Sequence, residues 1–367
     1  MATTHDVIVI GGGVVGAACA AELAGTGRSV LMLAPIRDGE AWRASAGMLA
    51  PQIETAQDSP LFELGIAGRE YFRDRAAQIA ADTGIDIGLY DGGILRLAGG
   101  EREAHQLRAA VAWQRQHSHA ADWLDPGEVA EQFPWAGESA GALWASHDGS
   151  VDPVKVVEAF RTVAQRRGAE MRNDAAVELV SGGGRITAVR GQQDTYSAGD
   201  VVLAAGAWSG RIAGLPRPVS VEPVRGQMLA RPWPASVPPG IVFGAHGYVL
   251  ERLGEALCGA TMEHAGFAPT VTEDGLASVI EATDRLLPAL AGSTPGRSWA
   301  GLRPGTPDGL PIFGREPALP NLWYATGYGR NGILLSGISA VALCHLLANE
   351  ATFDGVDAMR PNRFWNW

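Results

Sequence analysis

A glycine-rich turn near the start of the chain limits the folds that this sequence can adopt. A strand pattern at Asp6–Ile10 precedes a helical pattern at Ala17–Ala24, and three glycines spaced Gly-x-Gly-x-x-Gly separate the two: Gly11, Gly13 and Gly16. Such glycines permit a tight turn, close approach of the backbone to a diphosphate, and close packing of the helix on the strand. The diphosphate charge then lies at the positive N-terminus of the helix. The motif predicts a dinucleotide-binding fold.

The residues after this motif complete the unit and also depart from it at one position. Ser29–Leu33 is a second apolar strand, so the beginning of the chain predicts a β-α-β unit with parallel strands. Dinucleotide-binding units usually carry an acidic residue at the end of this strand, where it binds ribose hydroxyls. This sequence has Ala34 there, and Arg37 lies just beyond. Because an arginine in this region can accommodate a 2′-phosphate, the motif alone leaves an NADP-dependent dehydrogenase open.

The composition excludes several classes of protein. The 367 residues suit about two structural units, and with 46% hydrophobic and 19% charged residues they can form a buried core. The net charge is −11, and no block of basic residues marks a nucleic-acid surface. The scattered Cys19, Cys258 and Cys344 form no disulfide framework, which fits a reducing cytoplasm. The apolar stretch Val7–Ala21 follows no basic segment, so no membrane insertion is expected.

No other catalytic or metal-binding pattern competes with the glycine motif. His117 and His119 lie in a polar loop without a cysteine or nearby acid to complete a zinc site, so both are expected to be solvent-exposed. The sequence contains no Gly-x-Ser-x-Gly, phosphate-binding Walker or His-Glu-x-x-His motif. No metal site is predicted.

After Gly84 the predicted elements change to short strands that flank a charged helical stretch. This change predicts an α/β fold of two interleaved units. A Rossmann-like cofactor-binding domain is assigned to residues 1–84, 151–220 and 296–367. An α+β substrate-binding domain on an antiparallel sheet is assigned to residues 85–150 and 221–295. The predicted helices of these units are Leu61–Thr83, Glu101–His117, Asp152–Arg167, Glu273–Leu287 and Ile333–Asn349. The further predicted strands are Gly93–Leu97, Gly141–Ala145, Ala176–Val180, Ile186–Val189, Val201–Ala204, Gly226–Ala230, Tyr248–Glu251, Leu257–Thr261 and Leu322–Ala325.

Longer motifs along the chain are far more specific than the glycine turn. They are Arg43–Pro51 (RASAGMLAP), Val201–Ser209 (VVLAAGAWS), Gly301–Pro311 (GLRPGTPDGLP) and Gly327–Leu334 (GYGRNGIL). Together with Gly226–Met228 and Gly259–Glu263, they resemble the glycine oxidase branch of the D-amino-acid oxidase family of FAD-dependent oxidoreductases. The resemblance runs in order through nearly the whole chain.

The resemblance implies a non-covalent FAD held by the first β-α-β unit. The residues implied to contact it are Gly11, Gly13, Val14, Val15, Gly16, Ala34, Ala46, Gly47, Met48, Val177, Gly206, Tyr328, Gly329, Arg330, Asn331, Gly332, Ile333 and Leu334. Val177 would contact the adenine, and Ala46, Gly47 and Met48 would lie near the flavin ring. Because the acidic ribose ligand of the family falls on Ala34, FAD is expected to bind more weakly here, or another residue substitutes for the acid.

The resemblance also implies an amino-acid site, with Arg303 and Tyr248 as its catalytic and substrate-binding residues. A buried carboxylate calls for a planar bidentate donor, which arginine supplies, so Arg303 would clamp the substrate carboxylate. Tyr248 would add a hydroxyl hydrogen bond to the same group. A structural salt bridge for Arg303 and an ordinary sheet position for Tyr248 are the alternatives. His246, Met262 and Arg330 match pocket-lining positions of the family.

The reaction implied by the resemblance is oxidative deamination of glycine and other small amines or D-amino acids. The imine product would hydrolyse to a 2-oxo acid or feed thiazole formation in thiamine biosynthesis, and oxygen would be reduced to hydrogen peroxide. The alternatives are an FAD-dependent D-amino-acid or sarcosine dehydrogenase with a non-oxygen acceptor and, more weakly, the NADP-dependent dehydrogenase. The expected partners are a small amino acid and oxygen, with no nucleic acid and no membrane. Relatives suggest a homotetramer.

Overall fold

Two large β-sheets with helices packed on them make up most of residues 4–55 and 59–364, the part of the chain that the computed structural model describes. The strands are β1 (Thr4–Ile10), β2 (Val30–Leu33), β3 (Met48–Leu49), β4 (Ile94–Leu97), β5 (Asp122–Leu124), β6 (Ala142–Ala145), β7 (Gly149–Ser150), β8 (Glu170–Arg172), β9 (Ala176–Gly182), β10 (Arg185–Gly191), β11 (Thr195–Leu203), β12 (Glu222–Pro232), β13 (Ile241–Gly244), β14 (Gly247–Arg252), β15 (Glu255–Gly259), β16 (Ser298–Gly305), β17 (Ile312–Arg315) and β18 (Leu322–Thr326). The α-helices are α1 (Val14–Gly25), α2 (Pro51–Glu54), α3 (Leu61–Thr83), α4 (Glu101–Gln116), α5 (Pro126–Gln132), α6 (Pro153–Arg166), α7 (Glu273–Leu286) and α8 (Gly332–Leu347). Short 3-10 helices lie at Ala41–Ala44, Gly206–Arg211, Pro288–Leu290, Val356–Met359 and Pro361–Phe364.

The first sheet contains the predicted β-α-β unit. Its strand order is β17-β18-β11-β1-β2-β8, and β1 pairs in parallel with both β2 and β11. Helices α1, α3, α6 and α8 pack together against one face, while the β9–β10 hairpin joins β11. Val7–Ile10 is buried throughout, as expected for a parallel strand that is covered on both faces. The mixed α/β fold is confirmed.

The second sheet is mostly antiparallel and has the order β16-β12-β15-β14-β13-β4-β6-β5. Helix α7 packs on β12, β14 and β15, and α4 packs on β5 and β6. Strand β16 belongs to this sheet through its pairing with β12, although its residues fall in the range assigned to the cofactor domain. The division into two interleaved domains itself stays a prediction.

The helix predictions agree closely with the structure. For α6, the predicted ends Asp152 and Arg167 are the two caps, and the Asp152 carboxylate accepts from the Val154 N–H at 2.9 Å. The structure adds strands that the sequence did not reveal, including β13, β16 and β17. Among the described residues, no helix is both long enough and apolar enough to cross a membrane.

The expectation that both loop histidines are exposed is wrong for His119. Its side chain is only 17% exposed, and its Nε2 lies 2.8 Å from Oε1 of Glu63. The imidazole also packs edge-on against Phe62. The sequence pattern missed this contact because α3 and the loop after α4 are far apart in the chain. His117 is exposed, as predicted.

Candidate active site

A cavity of about 1810 Å³ is bordered by residues of both sheets. It is larger than the roughly 300–1,000 Å³ of a typical ligand pocket, so it has room for a dinucleotide and a small substrate together. The glycine-rich turn after β1 borders one part of it, and Arg303 of β16 and Tyr248 of β14 border another. Residues predicted separately for the cofactor and for the substrate therefore meet at one cavity.

The glycine-rich turn exposes uncapped backbone N–H groups to this cavity. Gly11 has φ +114°, and a Cβ there would collide with the carbonyl of Ala204; a Cβ at Gly16 would collide with the carbonyl of Gly11. These two glycines bring α1 tightly onto the sheet. Gly13, by contrast, is the N-cap of α1 and faces space, with only Trp42 nearby. Because no side chain caps α1 and no acid lies in its first turn, the helix end fits an anionic diphosphate.

A second helix N-terminus faces the same cavity. Helix α8 follows Asn331, which makes no side-chain capping bond, and its first turn has no acidic residue. Gly329 and Arg330, in the loop before this helix, border the cavity as well. A Cβ on Gly332 would lie 3.9 Å from Val14, so the two helix ends are close neighbours. Two positive helix ends beside one large cavity fit a long anionic cofactor such as FAD.

Most of the residues predicted to contact the cofactor border this cavity. They are Gly11, Gly13, Val14, Val15, Ala46, Gly47, Met48, Val177, Gly206, Tyr328, Gly329, Arg330, Gly332 and Ile333. Gly16, Ala34, Asn331 and Leu334 are not part of its lining; Leu334 instead packs against α3 beside Gly65 and Gly68. For each of these residues, contact with the cofactor remains a prediction.

Basic and aromatic side chains surround the position where an acidic ribose ligand is missing. The methyl group of Ala34 lies against Gly12, whose carbonyl oxygen accepts a hydrogen bond from Nε of Arg161 at 3.0 Å. Arg37 borders the cavity nearby, with its guanidinium 5.4 Å from the ring centroid of Trp208. The buried carboxylate of Glu40 also borders the cavity, and it opposes the effect of burial, which lowers the pKa of Arg37 and of Arg161. Charges of both signs therefore lie near the position that lacks the acid.

Arg303 presents a guanidinium to the substrate end of the cavity without a carboxylate partner among the described residues. Its Nη1 donates to the carbonyl of Thr261 at 3.0 Å, and its planar group lies against Gly226, where a Cβ would collide with it. No carboxylate of the described residues lies within 4.0 Å of it, so the structural salt bridge considered above is absent. Burial lowers the pKa of Arg303, opposed by Tyr248 and Glu54, yet arginine remains a cation. The free donors suit a substrate carboxylate.

Tyr248 is positioned by three neighbouring strands. On β14 it lies opposite Phe243 of β13 and Gly259 of β15, and its ring stacks on that of Phe243 with centroids 5.8 Å apart. Its hydroxyl lies 3.6 Å from the sulfur of Met228, a weak acceptor that a substrate carboxylate can replace. Burial raises the pKa of Tyr248 to about 12, although Arg303 opposes this shift. The hydroxyl therefore stays a neutral donor at working pH.

The three remaining predicted substrate residues also border the cavity. His246 lies in the turn between β13 and β14 and is exposed, and Met262 is 67% exposed at the rim. Arg330 is held by Glu54, whose Oε2 lies 3.0 Å from its Nε. Contact of these residues with a substrate stays a prediction.

Sequence reasoning missed several charged residues that border this cavity, among them Glu54 and Arg96. Glu54 ends α2, and burial raises its pKa, while Arg330, Arg303 and Arg96 oppose the shift. Arg96 of β4 donates from Nη1 to the carbonyl of Ile53 at 2.6 Å. Pro51, a favoured first residue of a helix, was the available signal that a short helix follows the Arg43–Pro51 motif.

Comparison with known proteins decides between the cofactors that the motif left open. A sequence model of the FAD dependent oxidoreductase (DAO) family matches residues 6–346. The chain belongs to this family. FAD is therefore its cofactor rather than NADP, the protein is an FAD-dependent oxidoreductase, and the resemblance seen in the sequence is confirmed.

Relatives and a solved structure show which members of this family the chain resembles. The chain is 33% identical to the bifunctional protein ThiO/ThiG of Synechocystis sp. over 99% of its own length but only 55% of that protein. It therefore spans about half of that relative. It is 31% identical to the glycine oxidase of Bacillus subtilis, covering 98% of this chain and 97% of the relative. The crystal structure of glycine oxidase from Geobacillus kaustophilus superposes with a TM-score of 0.93 at 31% identity, covering 98% of this chain and 99% of that one.

Proposed function

We propose that this protein oxidises glycine, and behind it sarcosine and small D-amino acids, to the imine, with oxygen as the electron acceptor. The names of the full-length relatives support glycine as the lead substrate. The observation that carries the proposal is the unpaired guanidinium of Arg303 beside the hydroxyl of Tyr248, at a cavity that also contains the cofactor motif. These groups suit an α-carboxylate, which all of these substrates carry.

The protein's own residues act by binding and orienting the amino acid. Arg303 binds the carboxylate with its fork of N–H donors, and Tyr248 donates its hydroxyl hydrogen to the same group. With the carboxylate fixed and the amine unprotonated, the Cα–H can point toward the part of the cavity bordered by Ala46, Gly47 and Met48. FAD, when bound, supplies the two-electron acceptor for the hydride that leaves Cα. Imine that reaches water hydrolyses to the 2-oxo acid, which releases ammonia from glycine or a D-amino acid and methylamine from sarcosine.

The same relatives support part of a proposal for the biological setting. We propose a cytoplasmic enzyme with non-covalently bound FAD, whose imine product feeds thiazole formation in thiamine biosynthesis, since the relatives include ThiO/ThiG proteins. Cys19, Cys258 and Cys344 are all free thiols, which is consistent with a reducing compartment. We further propose a cofactor domain on the first sheet, a substrate domain on the second, and a homotetrameric assembly.

The visible absorption spectrum of the purified protein tests this function. Glycine is added without oxygen, and air is admitted afterwards. We expect flavin bands that bleach with glycine and return in air together with hydrogen peroxide. Bleaching with slow recovery in air would instead indicate a dehydrogenase with another acceptor, and bands that glycine never bleaches would refute glycine oxidation.

Replacement of Tyr248 by phenylalanine tests its role as a neutral donor. A hydrogen bond to a charged group contributes about 1.5–3 kcal/mol, so the KM for glycine should rise about 10- to 100-fold. Because the pKa of Tyr248 is about 12, it does not titrate between pH 7 and 10, and both proteins should give pH profiles of the same shape. Tyr90→Phe makes the same change outside the cavity lining and should leave KM unchanged. A profile that loses a limb in Tyr248→Phe would contradict this role.

A further inference from the structure

Glu54 is a buried carboxylate in the substrate end of the cavity that the proposed chemistry does not use. Its Oε2 lies 3.0 Å from Nε of Arg330, and Nη2 of Arg330 donates to the backbone carbonyl of Glu54 at 2.8 Å. The side chain of Glu54 is 11% exposed, whereas that of Arg330 is 49% exposed. The pair therefore places a largely buried negative charge beside a positive group, and both residues border the cavity.

The arginines around Glu54 differ in how many of their donors are already engaged. Arg96 donates to the carbonyl of Ile53, and its Nη2 lies 3.4 Å from Glu103. Arg303 has no carboxylate partner among the described residues and is available to the substrate. Arg330 is a second cation at the cavity, and Glu54 already neutralises it. Without this acid, Arg330 would offer a binding place for a second carboxylate.

We propose that Glu54 sets the charge selectivity of the cavity. By pairing with Arg330, it restricts the site to amino acids with one carboxylate and rejects N-substituted glycines and D-amino acids that carry a second one. The inference rests on the proposed function, because it assumes that Arg303 takes the α-carboxylate of the substrate.

The selectivity follows from charge repulsion at short range. A second carboxylate that approaches Arg330 must also approach the carboxylate of Glu54, which lies 3.0 Å from the same guanidinium. Two like charges about 4 Å apart near a protein surface repel strongly enough to lower affinity about tenfold or more. A neutral N-methyl or small apolar substituent in the same place meets no such repulsion.

A pair of matched ligands measures this effect without turnover. Methoxyacetate and oxydiacetate are the ether analogues of sarcosine and iminodiacetate; they differ by one carboxylate and contain no oxidisable amine. Their dissociation constants are obtained from the change that each produces in the flavin absorption spectrum of the FAD-loaded protein. The variant is Glu54→Gln, since glutamine keeps an oxygen that accepts from Arg330 but removes the charge.

In Glu54→Gln, oxydiacetate should gain affinity relative to methoxyacetate. The ratio of the two dissociation constants should change about tenfold or more from that of the unaltered protein. Glu54→Asp retains the charge and should keep the ratio of the unaltered protein. Glu63→Gln removes one negative charge from the side chain that contacts His119, away from the cavity lining, and should also keep it. The kcat/KM ratio of iminodiacetate to sarcosine should shift in the same direction as the binding ratio. If Glu54→Gln does not retain FAD, Glu54→Ser is measured in its place, with the same expectation.

An unchanged ratio in the neutral variant, or an equal shift in Glu63→Gln, would overturn the inference. These outcomes differ from failure of the proposed function, which the glycine experiment reports independently. Bleaching by glycine together with an unchanged ratio refutes the role of Glu54 alone. If the unaltered protein binds neither ether and glycine does not bleach its flavin, both proposals fall.

Discussion

Replacing Arg303 by alanine should raise the KM for glycine and lower kcat/KM about 30- to 1,000-fold, while the flavin spectrum stays unchanged. The guanidinium borders the cavity with no carboxylate of the described residues within 4.0 Å, so its removal leaves the substrate carboxylate without its charge partner. Truncating one partner of a buried, hydrogen-bonded charge pair costs about 2–4 kcal/mol in binding, which corresponds to that change in rate. Steady-state oxygen uptake with glycine measures it.

Two further variants separate the geometry of Arg303 from its charge. Arg303→Lys keeps the positive charge but loses the planar fork, so it should recover only part of the lost kcat/KM. Arg297→Ala removes the same charge just before the same strand, where the side chain pairs with Glu255 outside the cavity lining, and should leave the kinetics unchanged. If Arg303→Ala had the kinetics of the unaltered protein, the carboxylate clamp would be refuted.

The local parts of the fold were predictable because they depend on neighbouring residues. The run Asp6–Ile10, the glycines at 11, 13 and 16, and the amphipathic pattern of α6 each indicate their structure within a single window. Motif resemblance then brought Arg303 and Tyr248 to one site, and the structure places both at the same cavity. Strand β16 was missed because its two glycines and its proline resemble a loop, and only pairing with β12 makes it a strand.

The missed part of the site consists of contacts between distant segments. Glu54 and Arg330 are far apart in sequence, and the motif around neither residue indicates that Glu54 neutralises Arg330. The same limitation explains His119, whose partner Glu63 belongs to another helix. At Ala34 the sequence showed that an acid is absent, but only the structure shows that Arg161 and Arg37 lie nearby together with the buried Glu40.

Replacing Asp148 by alanine should lower the free energy of unfolding by about 3–5 kcal/mol. Asp148 is fully buried and accepts hydrogen bonds from Nη1 of Arg69 at 2.9 Å and from the N–H groups of Gln52 and Ile53 at 3.1 and 3.0 Å. Burial raises the pKa of its carboxyl, and Arg69 opposes that shift. Its removal leaves Nη1 of Arg69 without its buried charge partner, since Glu70 contacts the other nitrogens of that guanidinium. The N–H groups of Gln52 and Ile53 also lose their acceptor, and both losses contribute to the cost. Urea denaturation of the FAD-loaded protein measures the difference.

Glu70 provides the matched comparison, because it pairs with the same arginine at 2.8 Å but is 39% exposed. An exposed pair contributes about 0–1 kcal/mol, so Glu70→Ala should change stability little. Asp148 also caps the N-terminus of α2, although it lies far from this helix in the sequence. Ala50, the residue before the helix, has no side chain that can do so. Equal losses of stability in the two variants would mean that Asp148 is not the buried anchor of α2.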